Sequence, residues 1–539
     1  MTAPYFIGVD VGTGSARAGV FDAEGTLLAS HKHAIAMWRE AGEIAEQSSD
    51  DIWAAVCTCV IEARARAGVP AAEIAGVGFD AACSLVVLGP GDAPISVSAS
   101  ADPRRNVIVW MDHRALDQAD RINATGHPVL TYVGGRISPE MQTPKLLWLQ
   151  ESMPETFAAA TRFFDLPDFL TWSATGSLAR SACTVTCKWT YLAHEDRWDD
   201  SYFEAIGLNT LPREDYARIG QTIVAPGAPL GQGLSPQAAA AMDLRPGIPV
   251  GAGLIDAHAG GLGTVGADPE RGPEQTMAYV FGTSACTMAS STAPQRVPGV
   301  WGPYFSAMIP DLWLSEGGQS AAGEAIAHLI HTHPAAPEAT ARAEAGCLSL
   351  QAALLRRVTA ELASPSDAVT LVGPRLIVPD LLGNRAPFAD PNATGIISGL
   401  TLDTGEEDLL RTYLAAVFGV GYGLRQIMEA QAAHGVRPTA IAISGGAGES
   451  PAIQQLLADA AGVPVLSTAC PEPVLLGAAM LGAVAGGAYP GLTEAMSRMS
   501  RIASRKTPVS GPLKARHDAR YTAYCALQKA ERTLRSHAA

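Results

Sequence analysis

Runs of apolar residues broken by glycine-bearing polar turns predict three short strands, a helix and a fourth strand within the first eighty residues. Phe6-Ile7-Gly8-Val9-Asp10 reads as a buried strand that stops at Gly12-Thr13-Gly14-Ser15. Residues 16–21 form a second strand, Asp22-Ala23-Glu24-Gly25 a turn, and residues 26–30 a third strand. Glycines at such turns supply the backbone freedom that tight hairpins require. Residues 49–67 carry an amphipathic helical pattern closed by Gly68 and Pro70, and residues 76–79 are a buried strand ending at Asp80. The succession predicts an α/β fold with a mixed sheet flanked by helices.

The opening unit returns later in the chain. Met277-Ala278-Tyr279-Val280-Phe281 reads as a strand, Gly282-Thr283-Ser284 as a turn, and residues 285–290 as a second strand. A repeat at this separation predicts two domains of like design, with chance as the alternative because Gly, Thr and Ser are common in turns. Residues 226–249 are rich in Gly and Pro, which places a boundary near residue 255 and divides the chain into 1–255 and 256–539. Residues 406–434 predict a long helix ending at Gly435 and Pro438. A strand at 440–443 then meets Ser444-Gly445-Gly446-Ala447-Gly448-Glu449-Ser450-Pro451, with Ser450 as the cap of a helix over 451–461. A basic stretch over 513–535 predicts a C-terminal helix.

Composition narrows the function more than the fold. A chain of 539 residues exceeds one ordinary core, and 47% apolar against 17% charged residues fits a globular protein. A formal net charge of −15 argues against nucleic-acid and anionic-membrane partners, which would be repelled. The N-terminus, Met1 to Tyr5, lacks the features of a signal peptide. Residues 474–485, the most apolar later run, are too short for a membrane span and are interrupted by Gly477 and Gly482. Nine scattered cysteines show no zinc-ribbon spacing, and Cys57 and Cys59 point to different faces of their helix. Free thiols in a reducing cytoplasm are expected. Oligomeric state is left open, a homodimer included.

Three glycine turns carry the first chemical signal. Gly12-Thr13-Gly14-Ser15, Gly282-Thr283 and the turn over 444–450 can each aim backbone N–H groups and hydroxyls at a phosphate, the last before a helix N-terminus. One such turn is weak; three in this order imply a nucleotide held between two domains. The P-loop and dinucleotide fingerprints are absent. Asp10 closes a strand beside the first turn, where a carboxylate suits a Mg²⁺ partner, direct or through water. Asp256 ends the apolar run 250–255 among small residues, and phosphoryl transfer to an alcohol needs such a group to accept the hydroxyl proton. Spacing alone weighs this reading evenly against a helix cap.

These residues resemble the FGGY family of carbohydrate kinases over almost the whole chain. The landmarks are Gly8-Val9-Asp10-Val11-Gly12-Thr13-Gly14-Ser15-Ala16-Arg17, Trp110-Met111-Asp112-His113-Arg114, Gly253-Leu254-Ile255-Asp256-Ala257-His258-Ala259-Gly260, Phe281-Gly282-Thr283-Ser284 and Ser444-Gly445-Gly446-Ala447. The resemblance implies two ribonuclease-H-like, actin-type domains with an interdomain cleft, ATP as phosphate donor and Mg²⁺ as its cation. It implies Asp256 as catalytic base and Asp10 near the metal. It implies Thr13, Ser15 and Arg17 facing the phosphates, with Gly282, Thr283, Gly445, Gly446 and Ala447 at the nucleotide. The 445–448 run has fewer consecutive glycines than many relatives.

For the sugar, Phe79-Asp80-Ala81-Ala82-Cys83-Ser84, Thr186-Cys187-Lys188-Trp189 and Ser315-Glu316-Gly317-Gly318-Gln319-Ser320 resemble the ribulokinase-like branch. That implies the Ala82 backbone against the sugar and hydrogen bonds from Lys188 and Glu316. Small polyols need such charged donors and acceptors because they offer little apolar area. A surface lysine and a helix-start carboxylate are the plainer readings of the last two. Trp110, Asp112 and His113 are expected at the sugar cleft, although a strand carrying a Trp could equally be core. Asp380-Leu381-Leu382-Gly383-Asn384-Arg385-Ala386-Pro387, followed by Asp390-Pro391-Asn392, resembles the D-ribulose-kinase subgroup and makes D-ribulose the expected acceptor. L-ribulose, xylulose, pentitols and glycerol are alternatives. The rival from another class is an actin- or chaperone-like ATPase switch. His258 reads as a packing histidine without a role.

Overall fold

The computed structural model describes residues 4–40 and 44–538, with backbone alone for Ala447 and Ala538. Residues 1–3 of the N-terminal run lie outside the described residues. The first sheet comprises β1 (Tyr5–Gly12), β2 (Ser15–Phe21), β3 (Leu27–Ala34), β4 (Ile74–Ala81) and β5 (Leu254–Ile255), in the order β5-β4-β1-β2-β3. Short turns allow only antiparallel neighbours, so β1, β2 and β3 make a meander. A parallel neighbour needs a crossover, which α1 (Ser49–Ala67) supplies before β4 pairs with β1; β5 then adds in parallel to β4. The Ser48 side chain caps α1 by accepting the Asp51 amide, and Gly68 closes it in the left-handed region at φ 67°. Both Cys57 and Cys59 are buried, although they lie on different faces, and all nine cysteines are free thiols.

The second sheet repeats the scheme with β6 (Thr276–Phe281), β7 (Ala285–Ser291), β8 (Trp301–Phe305), β9 (Trp313–Gln319), β10 (Ala440–Ser444), β11 (Val465–Thr468) and β12 (Ile502–Lys506). Their order is β8-β9-β7-β6-β10-β11-β12. A hairpin, β6–β7, again stands beside a parallel strand, here β10, as β1–β2 stands beside β4. The strand–Gly-Thr–strand repeat of the sequence is therefore a repeat of topology.

Seven further helices matter below: α2 (Ala182–Trp189), α3 (Asp256–Val265), α4 (Gly323–His331), α5 (Glu406–Ala433), α6 (Pro451–Ala461), α7 (Pro473–Ala485) and α8 (Gly511–Ala538). The apolar run at 474–485 is α7, buried at every position from Leu475 to Ala483, as befits a helix apolar all round. Among the described residues no helix is long and apolar enough to cross a membrane. Although α7 follows strands of the second sheet, it packs on β1 and β4 of the first. Its other side meets α3, which leaves the first sheet and packs on β6. The two helices form the joint between the lobes. Helix α7 meets both neighbours backbone to backbone: a Cβ on Gly78 of β4 would stand 1.9 Å from the Ala478 carbonyl oxygen, and one on Gly477 would stand 2.0 Å from that of Ala259 on α3.

Candidate active site

Parallel strands deliver three carboxylates to one edge. Asp10 and Asp80 lie in register on β1 and β4, and Asp256 follows β5, which pairs with the end of β4. Asp10 is buried and bound by Arg17, opposite it on β2, whose Nε donates at 2.8 Å. Arg17 also donates to Glu472, the residue before α7, at 3.0 Å. Arg17 is therefore engaged by two carboxylates rather than standing free at the glycine turn. Asp80 is fully buried, and among the described residues neither of its side-chain oxygens has a hydrogen-bond partner. Burial above all, then Asp10 and Asp256, push its carboxyl well above the usual range. Two buried carboxylates in register, only one of them bound by a guanidinium, suit a shared proton or a hard cation, and Asp10 with the oxygens of Asp80 fits Mg²⁺ on donor chemistry. Among the described residues no three acidic, histidine or cysteine side chains gather as a metal cage, so water and phosphate oxygens would complete the shell.

Asp256 opens α3 but does not cap it: Ile255 holds the cap position, and the Asp256 carboxylate accepts only the adjacent Ala257 amide, at 2.7 Å. Its other oxygen has no hydrogen bond among the described residues, and the residue is half-buried at the cleft. Desolvation, reinforced by Asp10, raises its carboxyl to about 6. That value suits a group that accepts a proton near neutrality.

Both lobes contribute to the compartment next to Asp256. Lys188 is buried on α2, with its ammonium 5.9 Å from the centre of the Trp301 ring on β8. Glu316 is buried mid-strand on β9. Burial works to raise its carboxyl, but the nearby His258 and the charges of Lys188 and Arg385 bring it down to about 2. The plainer readings of a surface lysine and a helix-start carboxylate do not hold. Arg385 stacks on the same indole at 5.5 Å and meets Cys286 Sγ at 3.8 Å. Neither Lys188 nor Arg385 has an ion pair within 4.0 Å among the described residues. Glu140, 3.9 Å from His113, faces both cations; burial opposes its ionisation, yet His113, Lys188 and Arg385 hold its carboxyl below the ordinary value. Nothing local in the sequence marks Arg385, Glu140 and Trp301 as site residues, because only tertiary folding brings them to Lys188.

Other expected residues take supporting positions. Asp112 is fully buried; it accepts the Ala45 amide at 2.7 Å and the Arg114 guanidinium at 2.7 and 2.8 Å. With these partners Asp112 braces the loop that carries Trp110. The Trp110 indole N–H donates to the Thr13 hydroxyl at 3.0 Å, tying that loop to the first glycine turn. The Ala82 amide donates to the Val11 carbonyl at 2.9 Å, fixing the backbone beside Cys83.

Across the cleft the remaining turns adjoin. Val280 and Ser444 pair in register on β6 and β10, so Gly282-Thr283 and Gly445-Gly446 stand side by side at the carboxyl ends of parallel strands. Gly445 is left-handed at φ 88°, and a Cβ there would stand 2.6 Å from the Phe281 carbonyl oxygen. The Thr283 carbonyl accepts the Ala322 amide at 2.9 Å, joining this turn to the start of α4. Gly446 and Thr283 are exposed, Thr13 and Ser15 half-buried. Gly446–Gly448 form one 3-10 turn, and the Ala447 side chain lies outside the described atoms. Ser450 occupies the cap position of α6 without the expected side-chain cap bond. No hydrogen bond joins the Gly12–Ser15 turn to either second-lobe turn among the described residues. A concavity of about 750 Å³ lined by Trp53, Phe169 and Trp172 lies elsewhere and holds none of these groups.

Two sheets of like topology, turning carboxylates and glycine turns toward a common cleft, define a two-lobed α/β phosphotransferase of the actin type. Residues 5–263 match the model of the N-terminal domain, and residues 277–486 that of the C-terminal domain, of the FGGY family of carbohydrate kinases. The chain belongs to this family and is an ATP-dependent kinase acting on a sugar. It is 47% identical to an FGGY carbohydrate kinase domain-containing protein of Homo sapiens, over 92% of this chain and 91% of that one. It is 37% identical to a D-ribulokinase of Saccharomyces cerevisiae, over 90% of this chain and 72% of the relative. The fold is shared with solved structures, among them a xylulose kinase from Lactobacillus acidophilus, at TM-score 0.79 and 20% identity over 98% of both chains.

Proposed function

We propose that the acceptor is D-ribulose and the product D-ribulose 5-phosphate. The observation that carries this reading is the similarity to a D-ribulokinase along nine-tenths of the chain, joined to a compartment whose polar groups suit a small polyol. Lys188 and Arg385 offer N–H donors not engaged by any carboxylate among the described residues, while Glu140 and Glu316 offer acceptors, so a sugar hydroxyl can both give and receive. The Ala82 backbone bounds the sugar beside Cys83.

In the proposed reaction the lobes close about the α3–α7 joint and exclude water. Asp256 takes the proton from the primary hydroxyl as its oxygen bonds the γ-phosphorus and the bond to the ADP oxygen breaks. Thr13, Ser15 and the turns at Gly282, Thr283, Gly445, Gly446 and Ala447 hold the nucleotide, with Arg17 acting on the phosphates through its fixed place beside Asp10. Asp10 and Asp80 would hold Mg²⁺, which supplies charge neutralisation at the phosphates when bound. Residues 1–255 would hold most of the sugar and 256–539 most of the nucleotide, with Glu316, Trp301 and Arg385 reaching across.

A panel read by coupled ADP release tests the acceptor. D-Ribulose is expected to give the highest kcat/KM, about tenfold or more above L-ribulose, D-xylulose, ribitol and glycerol, the discrimination that one hydrogen-bonded hydroxyl supports. A higher value for another acceptor contradicts the reading. Arg385→Met keeps the stem over Trp301 but removes the donors; it is expected to raise the D-ribulose KM by about tenfold and to leave the ATP KM within twofold. An unchanged sugar KM would exclude Arg385 from recognition.

A further inference from the structure

His258 is wholly buried, yet both of its ring nitrogens meet polar atoms of other elements. Nδ1 lies 3.1 Å from Cys183 Sγ on α2, and Nε2 lies 3.5 Å from Glu316 Oε2 on β9. The same sulfur accepts the Ile255 amide at 3.4 Å, immediately before Asp256. One imidazole thus links three elements: α3, which begins with Asp256; α2, which carries Lys188; and β9, which carries Glu316. A histidine kept for packing alone would sit among apolar side chains with one nitrogen satisfied locally.

We propose that His258 is a positioning residue for the acceptor sugar, holding Glu316 toward the cleft while Cys183 fixes the ring from the opposite side. The inference rests on the sugar-binding role given above to Glu316. The two contacts differ in a way that fits the role. Cys183 is gripped at short range. The Nε2–Glu316 contact is long, and Nε2 has no fully formed hydrogen bond among the described residues. Contacts of this kind tighten when a ligand completes the site. A ring protonated on both nitrogens serves the sulfur at Nδ1 and the carboxylate at Nε2 together, an assignment made from partners. Burial works against that charge, but Cys183 and Glu316 prevail and bring the imidazole up to about 10. Burial likewise opposes a thiolate, while Cys187 and His258 draw the Cys183 thiol below its ordinary value. An imidazolium so held directs the lone pairs of Glu316 and keeps that side chain ionised for a sugar hydroxyl.

The test is a double-mutant cycle on the full-length enzyme: wild type, His258→Gln, Glu316→Gln and the double variant, with KM for D-ribulose and for ATP measured separately. His258→Gln is expected to raise the D-ribulose KM about tenfold, within the range found for coupled neighbours, with the ATP KM within twofold. In the Glu316→Gln background it is expected to add less than twofold. Cys183→Ser, which retains a partner for Nδ1, is expected to stay within threefold of wild type, and Cys183→Ala to raise the sugar KM more than Cys183→Ser does. A parallel rise in both KM values, or a full His258→Gln effect without Glu316, overturns the inference. Melting temperatures check folding; should His258→Gln not fold, the Cys183→Ala and Cys183→Ser pair decides, and equal sugar KM values for the two overturn it. If wild type does not turn over D-ribulose, the acceptor reading has failed, and the same cycle run with the best sugar of the panel still judges His258.

Discussion

Asp256→Asn is expected to lower kcat by about 10²–10⁴, the contribution of a positioned general base, while ATP binding measured at equilibrium persists. The amide fills the same space at the start of α3, and its oxygen can still accept the Ala257 amide, so the change removes basicity and little else. The nucleotide turns lie on other strands and are not disturbed. The pH profile supplies a second reading. With the carboxyl raised to about 6 by desolvation and by Asp10, the basic form prevails above that pH and is lost below it. The rate is therefore expected to rise through about pH 6 and level off, and Asp256→Asn is expected to lack this limb. Near-wild-type turnover by the variant would remove Asp256 from the role of base.

Gly477→Ala is expected to destabilise the enzyme by about 3 kcal/mol, the upper end of overpacking costs. The sign is diagnostic. In an exposed helix the exchange gains roughly 1 kcal/mol from alanine's higher propensity. Here the new Cβ would stand 2.0 Å from the Ala259 carbonyl oxygen, where backbone meets backbone and no side chain can swing aside. The loss falls on the joint between α3 and α7, so a lowered melting temperature is expected together with a reduced kcat, because closure runs through the same contact. An unchanged melting temperature would show that the two helices separate at little cost.

Local pattern and tertiary placement divide what the chain makes legible. The strand carrying Asp10, the helix over 49–67, the long helix of residues 406–433 and the turns at Gly282 and Gly445 follow from periodicity, caps and glycine, which act over a few residues. The buried place of Lys188 is hinted at by Cys187 and Trp189. What stays hidden depends on distant partners. The apolar run at 474–485 does not announce that it will cover the first sheet, because its burial all round gives no amphipathic stripe to orient it. Nothing local shows that the Ala45 amide and Arg114 will bind the Asp112 carboxylate. Arg385 and Glu140 stand far apart in sequence and meet only when the lobes do. His258 resembles core until Cys183 and Glu316, on either side of it, come from different lobes.

The most direct measurement is a crystal or cryo-EM structure of the enzyme with D-ribulose and a non-hydrolysable ATP analogue. The account predicts closed lobes, the Asp256 carboxylate within hydrogen-bonding distance of the primary hydroxyl of the sugar, that hydroxyl in line with the γ-phosphorus, and Lys188 and Glu316 on the remaining hydroxyls. A closed, doubly occupied complex in which Asp256 lies out of reach of both reacting groups would contradict it.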